Sequence, residues 1–206
     1  MEKIRAFQAN GAKDLNISLT ILLHMSQNGY KERIVQALLK SENHIRGLAK
    51  ELNTNQMNIS RKINELYDEN VVDYAVEGRN KVFSLKKTIE ARQYVYSVEA
   101  QKVIEAVKKY PRLRNIIECL QKRSDVRLAV IFGSYAKGKA AKNSDIDLYI
   151  ETNDSRIKDE ISKTDSRLSI KIGPYNKQSL LIKEIEKNHL IIKGIEEFYE
   201  KAGFFE

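Results

Sequence analysis

The residues of this chain best suited to chemistry lie between positions 133 and 147. Gly133-Ser134 directly follows the apolar run Val126–Phe132, a short basic segment comes next, and Asp145 and Asp147 close the stretch. Small residues let backbone N–H groups approach phosphate oxygens, and a helix opening at such a turn presents the positive end of its dipole. Residues two apart on a strand share a face, so Asp145 and Asp147 can serve one site while Ile146 and Leu148 pack behind them. Adjacent carboxylates repel, and a hard divalent cation such as Mg²⁺ is the usual reason to keep them together. Each part suits the handling of a nucleoside triphosphate. Lys137, Lys139 and Lys142 lie close enough in sequence to attract its phosphates; a solvated basic loop is the plainer account of any one of them.

Such a site needs strands to hold the acids and helices to back them. From Val126 the pattern reads β-α-β: strand 126–132, helix from Ser134, strand 146–151, helix 155–164 and strand 167–172. Two helices, 176–187 and 191–201, then close the chain. Upstream, 15–25 alternates (Leu15, Ile17, Leu19, Ile21, Leu23, Met25) as in a strand that needs a partner from within the chain or from a second copy. Helices follow over 31–40, 44–52 and 56–68, with Asn53-Thr54-Asn55 as turn and cap. Strands 71–76 and 81–85 flank Glu77-Gly78-Arg79-Asn80, where Gly and Asn fit a hairpin turn needing positive φ. A long helix over 88–110, interrupted at Pro111 and resumed over 113–122, reads as a connector that either carries a dimer contact or packs only against its own chain.

The stretch 133–147 resembles the nucleotidyltransferase superfamily that includes DNA polymerase beta, its minimal stand-alone members in particular. Gly133, Ser134, Asp145 and Asp147 match the family pattern one by one, and the element order extends the likeness over nearly all of 112–206. The resemblance implies that Gly133 and Ser134 hold the β/γ phosphates, with Lys137 and Lys142 beside them. It also implies that Asp145 and Asp147 bind Mg²⁺ (or Mn²⁺) as catalytic residues, and that a nucleoside monophosphate passes from NTP to an acceptor hydroxyl. The family carries a third carboxylate on the next strand. Here Leu168, Ile170 and Ile172 alternate with Ser169 and Lys171, and neither is acidic; Asp165, Glu151, Asp154 and Asp159 lack the expected neighbours. Without a third acid the second metal and the acceptor's base lose a ligand, so efficient transfer is not expected.

Residues 30–87 resemble a winged helix-turn-helix domain, similar to small bacterial and archaeal transcription regulators. The segments 45–52 and 58–66 look like its second and recognition helices. In that likeness Asn58 and Arg61 read base edges and Ser60 and Lys62 meet phosphates, while Arg79, Asn80 and Lys81 of the wing face the backbone or minor groove. Glu65 and Asp68 work against a strongly basic reader.

The bulk numbers agree. With 206 residues and 42% hydrophobic the chain can bury a core, and its charge of +8 favours an anionic partner. One cysteine, Cys119, excludes an intrachain disulfide, and His24, His44 and His189 have no ligand spacing. No apolar run approaches a bilayer span, so a cytoplasmic protein without a membrane partner is expected. The fold expected is α+β: a winged helix-turn-helix over 1–87, a helical connector over 88–123, and a nucleotidyltransferase-like mixed sheet backed by helices over 124–206. The leading function is a protein that binds double-stranded DNA and, in its second domain, NTP with Mg²⁺. An active nucleotidyltransferase, a nucleotide-sensing transcription regulator without catalysis and a protein-interaction module are the alternatives, with a homodimer compatible with each.

Overall fold

The computed structural model describes residues 29–206, so the strand read over 15–25 lies outside the described residues. The chain divides into two compact units between Val98 and Glu99, inside the segment read as connector.

In the first unit, helices α1 (Gly29–Leu38), α2 (Ile45–Glu51) and α3 (Gln56–Asp68) bury one apolar stripe each. Ile34, Val35, Leu48, Ile59, Ile63 and Leu66 are fully buried, at the three-and-four spacing that brings side chains to one helix face. Each such side chain is worth about 1.5–3 kcal/mol of burial. Asn55 caps α3, its side chain accepting from the Asn58 amide at 2.7 Å. The wing is β2 (Val72–Glu77) and β3 (Asn80–Leu85), antiparallel, with Gly78 and Arg79 as a two-residue loop. Gly78 takes the left-handed conformation at φ 61°, whereas Asn80, read from sequence as a turn residue, pairs with Glu77 in the ladder. A third strand, β1 (Asn43–His44), was not expected: it pairs with β3 at Phe83 and Val82 and delays the start of α2 to Ile45. Two residues carry no periodicity, so only their partner strand reveals them.

Helix α4 (Ile89–Lys109) runs through the boundary between the units, and α5 (Leu113–Gln121) follows Pro111. The second unit is a four-stranded mixed sheet in the order β6-β5-β4-β7. Its strands are β4 (Ala129–Ile131), β5 (Ile146–Ile150), β6 (Leu168–Ile172) and β7 (Leu190–Lys193). β4 pairs antiparallel with β5 and β7, and β5 pairs parallel with β6 through the connecting helix α7 (Ser155–Ser162). Ile116, Leu120, Ile146, Leu148, Ile150, Ile157 and Ile161 form the core between sheet and helices.

The last third of this unit departs from the helix-only reading. Positions 190–193 form a strand, not part of a helix over 191–201, and the final helix α9 begins at Ile195. Gly194 makes the switch at φ 78°, and a Cβ there would collide with the Arg127 carbonyl. The helix expected over 176–187 is shortened to α8 (Leu180–Lys187). Asn176 accepts from the Gln178 amide and Ser179 caps at Ile182, so side chains offer the backbone a turn in place of helix.

Candidate nucleotide site and nucleic-acid interface

β4 ends at Ile131, Phe132 stays extended, and Gly133 opens the one-turn helix α6 (Gly133–Ala136). The Phe132 amide donates to the Asp147 carbonyl at 2.9 Å, which ties the turn to β5. Gly133 sits at φ 68°, and a Cβ on it would fall deep inside the van der Waals radius of Asp147 Oδ2. Two independent constraints therefore require glycine: the left-handed backbone and the carboxylate lying against it. Ser134 follows, half-buried.

Asp147 lies on β5 with buried neighbours Ile146 and Leu148 on the opposite face; Asp145 stands just before the strand and is exposed. Partial burial pushes the Asp147 carboxyl above the usual range, and the charges of Asp145 and Glu184 push it further. Lys171 and Lys137 pull the other way without prevailing. Lys137, paired with Glu184, and Lys171 offset only part of this effect on Asp147. Two carboxylates beside a glycine-serine turn suit Mg²⁺, which is held by one or two carboxylates plus substrate phosphates and keeps several waters. Among the described residues no group of three or more His, Cys, Asp and Glu side chains could hold a metal ion.

The β6 register shows what replaces a third acid. Ser169 pairs with Asp147 and Lys171 with Tyr149, so Ser169 and Lys171 share the face of Asp147. Three of the four acids weighed from sequence are engaged elsewhere. Asp165 pairs with Arg112 at 2.9 Å, Glu151 with Lys201 at 3.0 Å, and Asp154 caps α7; Asp159 is exposed on α7. Glu184 is the carboxylate that sequence reasoning missed. It lies on α8 beside the buried Ile182 and Ile185, and binds Lys137 at 3.1 Å. Its only signal in the sequence is an acid next to an apolar i, i+3 pair, which any amphipathic helix shows.

The basic segment splits. Lys137 is held by Glu184, and Lys139 is exposed. Lys142 lines a cavity with Tyr110 and Tyr135. Tyr135 belongs to the core formed with Ile146 and Leu148, which alternate with Asp147, so Lys142 borders the opposite side of the sheet.

In the first unit, Arg61 is exposed on α3 and Asn58 and Ser60 are half-buried. Asn58 donates through its side-chain amide to Thr54 Oγ1 at 3.3 Å. Lys62 is drawn to Glu65 at 2.9 Å with 13% of its side chain exposed, so reaching a phosphate would mean leaving that ion pair. Lys31, buried, bridges Glu65 and Glu69. On the wing Arg79, Asn80 and Lys81 are all exposed, and the Lys81 ammonium lies over the Tyr74 ring at 3.9 Å.

The family model for polymerase beta nucleotidyltransferase matches residues 114–197, starting within the segment read as connector. No curated protein matches the chain. Among solved structures, one similar chain is the homodimeric winged helix-turn-helix DNA-binding domain of a possible ArsR-family transcriptional regulator from Mycobacterium bovis. It is 17% identical, covers 48% of this chain and 92% of its own, and has a TM-score of 0.34. The adhesin competence repressor of Streptococcus pyogenes is 23% identical, covers 56% and 85%, and has a TM-score of 0.36. A toxin-antitoxin solved with AMP-PNP is 16% identical, covers 51% and 82%, and has a TM-score of 0.32. Among the described residues no helix is long and apolar enough to cross a membrane. Three helices with a two-stranded wing make the first unit a winged helix-turn-helix fold, and residues 114–197 form a nucleotidyltransferase domain of the polymerase beta family.

Proposed function

We propose that the second unit binds a nucleoside triphosphate with Mg²⁺, that the first binds double-stranded DNA, and that the protein works in the cytoplasm. The observation that carries the nucleotide reading is the contact of Gly133 with Asp147: the phosphate-accepting turn and the carboxylate are built against each other. In this reading Gly133 and Ser134 present backbone N–H groups to the terminal phosphates, and Asp145 and Asp147 hold the metal. Mg²⁺ would supply neutralisation of charge on the triphosphate. In this reading neither Ser169 nor Lys171, the β6 residues on the face of Asp147, supplies a carboxylate to accept the acceptor's proton. General-base help is worth about 10²–10⁴-fold in rate, so transfer by this site is slow and binding is its main task.

Calorimetry with a purine NTP tests this directly. Binding should require Mg²⁺ and weaken strongly in Asp145→Asn and Asp147→Asn; equal, metal-independent binding by all three proteins would refute it. A transfer assay with Mg²⁺ or Mn²⁺ tests the second point. Robust turnover by the wild type, lost in Asp147→Asn, would mean that another carboxylate, such as Glu184, completes the site.

For the first unit, the exposed Arg61 on α3 and the exposed wing residues Arg79 and Lys81 support the DNA reading. Specific duplex affinity should fall steeply with salt as counterions are released. Arg61→Ala should relax base preference, and Lys81→Ala should weaken all duplexes alike. If no duplex is retained at low salt, the unit is an interaction module.

A further inference from the structure

The cavity bordered by Lys142 is a site of its own. It measures about 490 Å³, within the range of small-molecule sites, and is lined by residues of α4, the Pro111 turn, α6, the loop before β5 and Arg167 just before β6. Its wall is apolar: Tyr110 and Tyr135 meet edge to face with centroids 4.9 Å apart, and Pro111, Ala140 and Ala141 complete it. Its charge is all of one sign, from Lys109, Arg112, Lys142 and Arg167.

Only Arg112 has a carboxylate partner among the described residues, Asp165 at 2.9 Å. Lys109 donates to the Gly138 carbonyl at 2.7 Å, and Arg167 donates to the Lys142 carbonyl. A carbonyl orients a cation without cancelling its charge, so the cavity keeps a net positive potential.

We propose that this cavity binds a nucleotide unit: a phosphate held by Lys109, Lys142 and Arg167, and a base against the tyrosine-lined wall. Tyr110, partly exposed, offers an aromatic surface suited to any base, and lysine and arginine at the rim accept the phosphate. The unit can be a free mononucleotide or one residue of a single strand. The site goes beyond the triphosphate reading, because Tyr135 packs on the sheet face opposite Asp147. It needs no divalent metal.

The test is calorimetry on the full chain in EDTA, with AMP, inorganic phosphate and a short oligoadenylate as titrants. AMP should bind without metal and more tightly than phosphate. Lys142→Ala, at an exposed position, should weaken it about tenfold, the worth of one charge-assisted contact. Asp147→Asn should leave it unchanged, which separates this site from the metal-dependent one. Tighter binding of the oligoadenylate would assign a strand, and equal binding a free nucleotide; both support the site. Absence of AMP and oligoadenylate binding in EDTA would overturn the proposal, as would equal affinity for AMP and phosphate. Full retention in both Lys142→Ala and Lys109→Ala would overturn it too.

Discussion

Gly133 joins two functions that a sequence presents as separate letters. Its left-handed backbone aims the turn, and its missing side chain leaves room for the Asp147 carboxylate. Gly133→Ala should therefore cost the αL strain of about 1–2 kcal/mol and also displace Asp147. We expect Mg²⁺-dependent NTP affinity to fall at least about tenfold while circular dichroism stays that of the folded chain; unchanged affinity would show that the contact is not part of the site. At this scale the turn at Gly133 and the strand position of Asp147 were legible, one from turn chemistry and the other from strand alternation. Glu184 was not, because its approach to Asp147 depends on how α8 folds back in space. The side of the sheet that Lys142 borders was hidden for the same reason: loop residues have no period.

Elements announce themselves when their signal repeats. Helix α3 was read with its bounds, since Ile59, Ile63 and Leu66 repeat and Asn55 caps. β7 was not, because a run such as Leu190-Ile191-Ile192 suits a buried strand as well as a buried helix. Its pairing with β4 decides the matter, and Gly194 enforces it. A Cβ at Gly194 meets the Arg127 carbonyl, whereas one at Gly78, also left-handed at φ 61°, meets nothing within 4 Å. Gly78→Ala should cost only the backbone strain, about 1 kcal/mol, and Gly194→Ala at least twice that, because main chain must move. Urea unfolding of the two variants checks the difference. Equal losses would show that strand and helix can part at Gly194 without displacing Arg127.

Across the second unit, a buried carboxylate ties the ends of the fold together. Glu99 on α4 is 1% exposed and accepts from Lys102 at 2.7 Å, from Tyr199 of α9 at 2.7 Å, and faces His189 Nε2 at 3.2 Å. Burial alone would raise its pKa, but the His189 contact and Lys102 outweigh it and hold the carboxyl down at about 2. A carboxylate depressed on folding stabilises the native state above its unfolded value of about 4.3, and that stability is lost as pH falls toward 2. Denaturant melts should show the second unit weakening through that window. Glu99→Gln should be less stable at pH 7 and show a shallower acid dependence; an identical acid profile would mean that other carboxylates govern it.

Local pattern alone determined much of this protein. Alternation and the three-and-four spacing located most helices and strands, and turn chemistry placed Gly78 and Gly133. The match of residue types to phosphate and metal chemistry singled out the Gly-Ser pair and the paired acids as candidates. Length and composition left one domain or two small ones open. Tertiary structure decided whatever depends on contacts between distant segments. It paired β1 with β3, made 190–193 a strand, set the boundary between Val98 and Glu99 inside a continuous helix, and brought Glu184 toward Asp147. It also gathered Lys109, Tyr110, Tyr135, Lys142 and Arg167 around one cavity. Local signals report what each residue prefers along its own segment; a site assembled from several segments exists only once the chain has closed on itself.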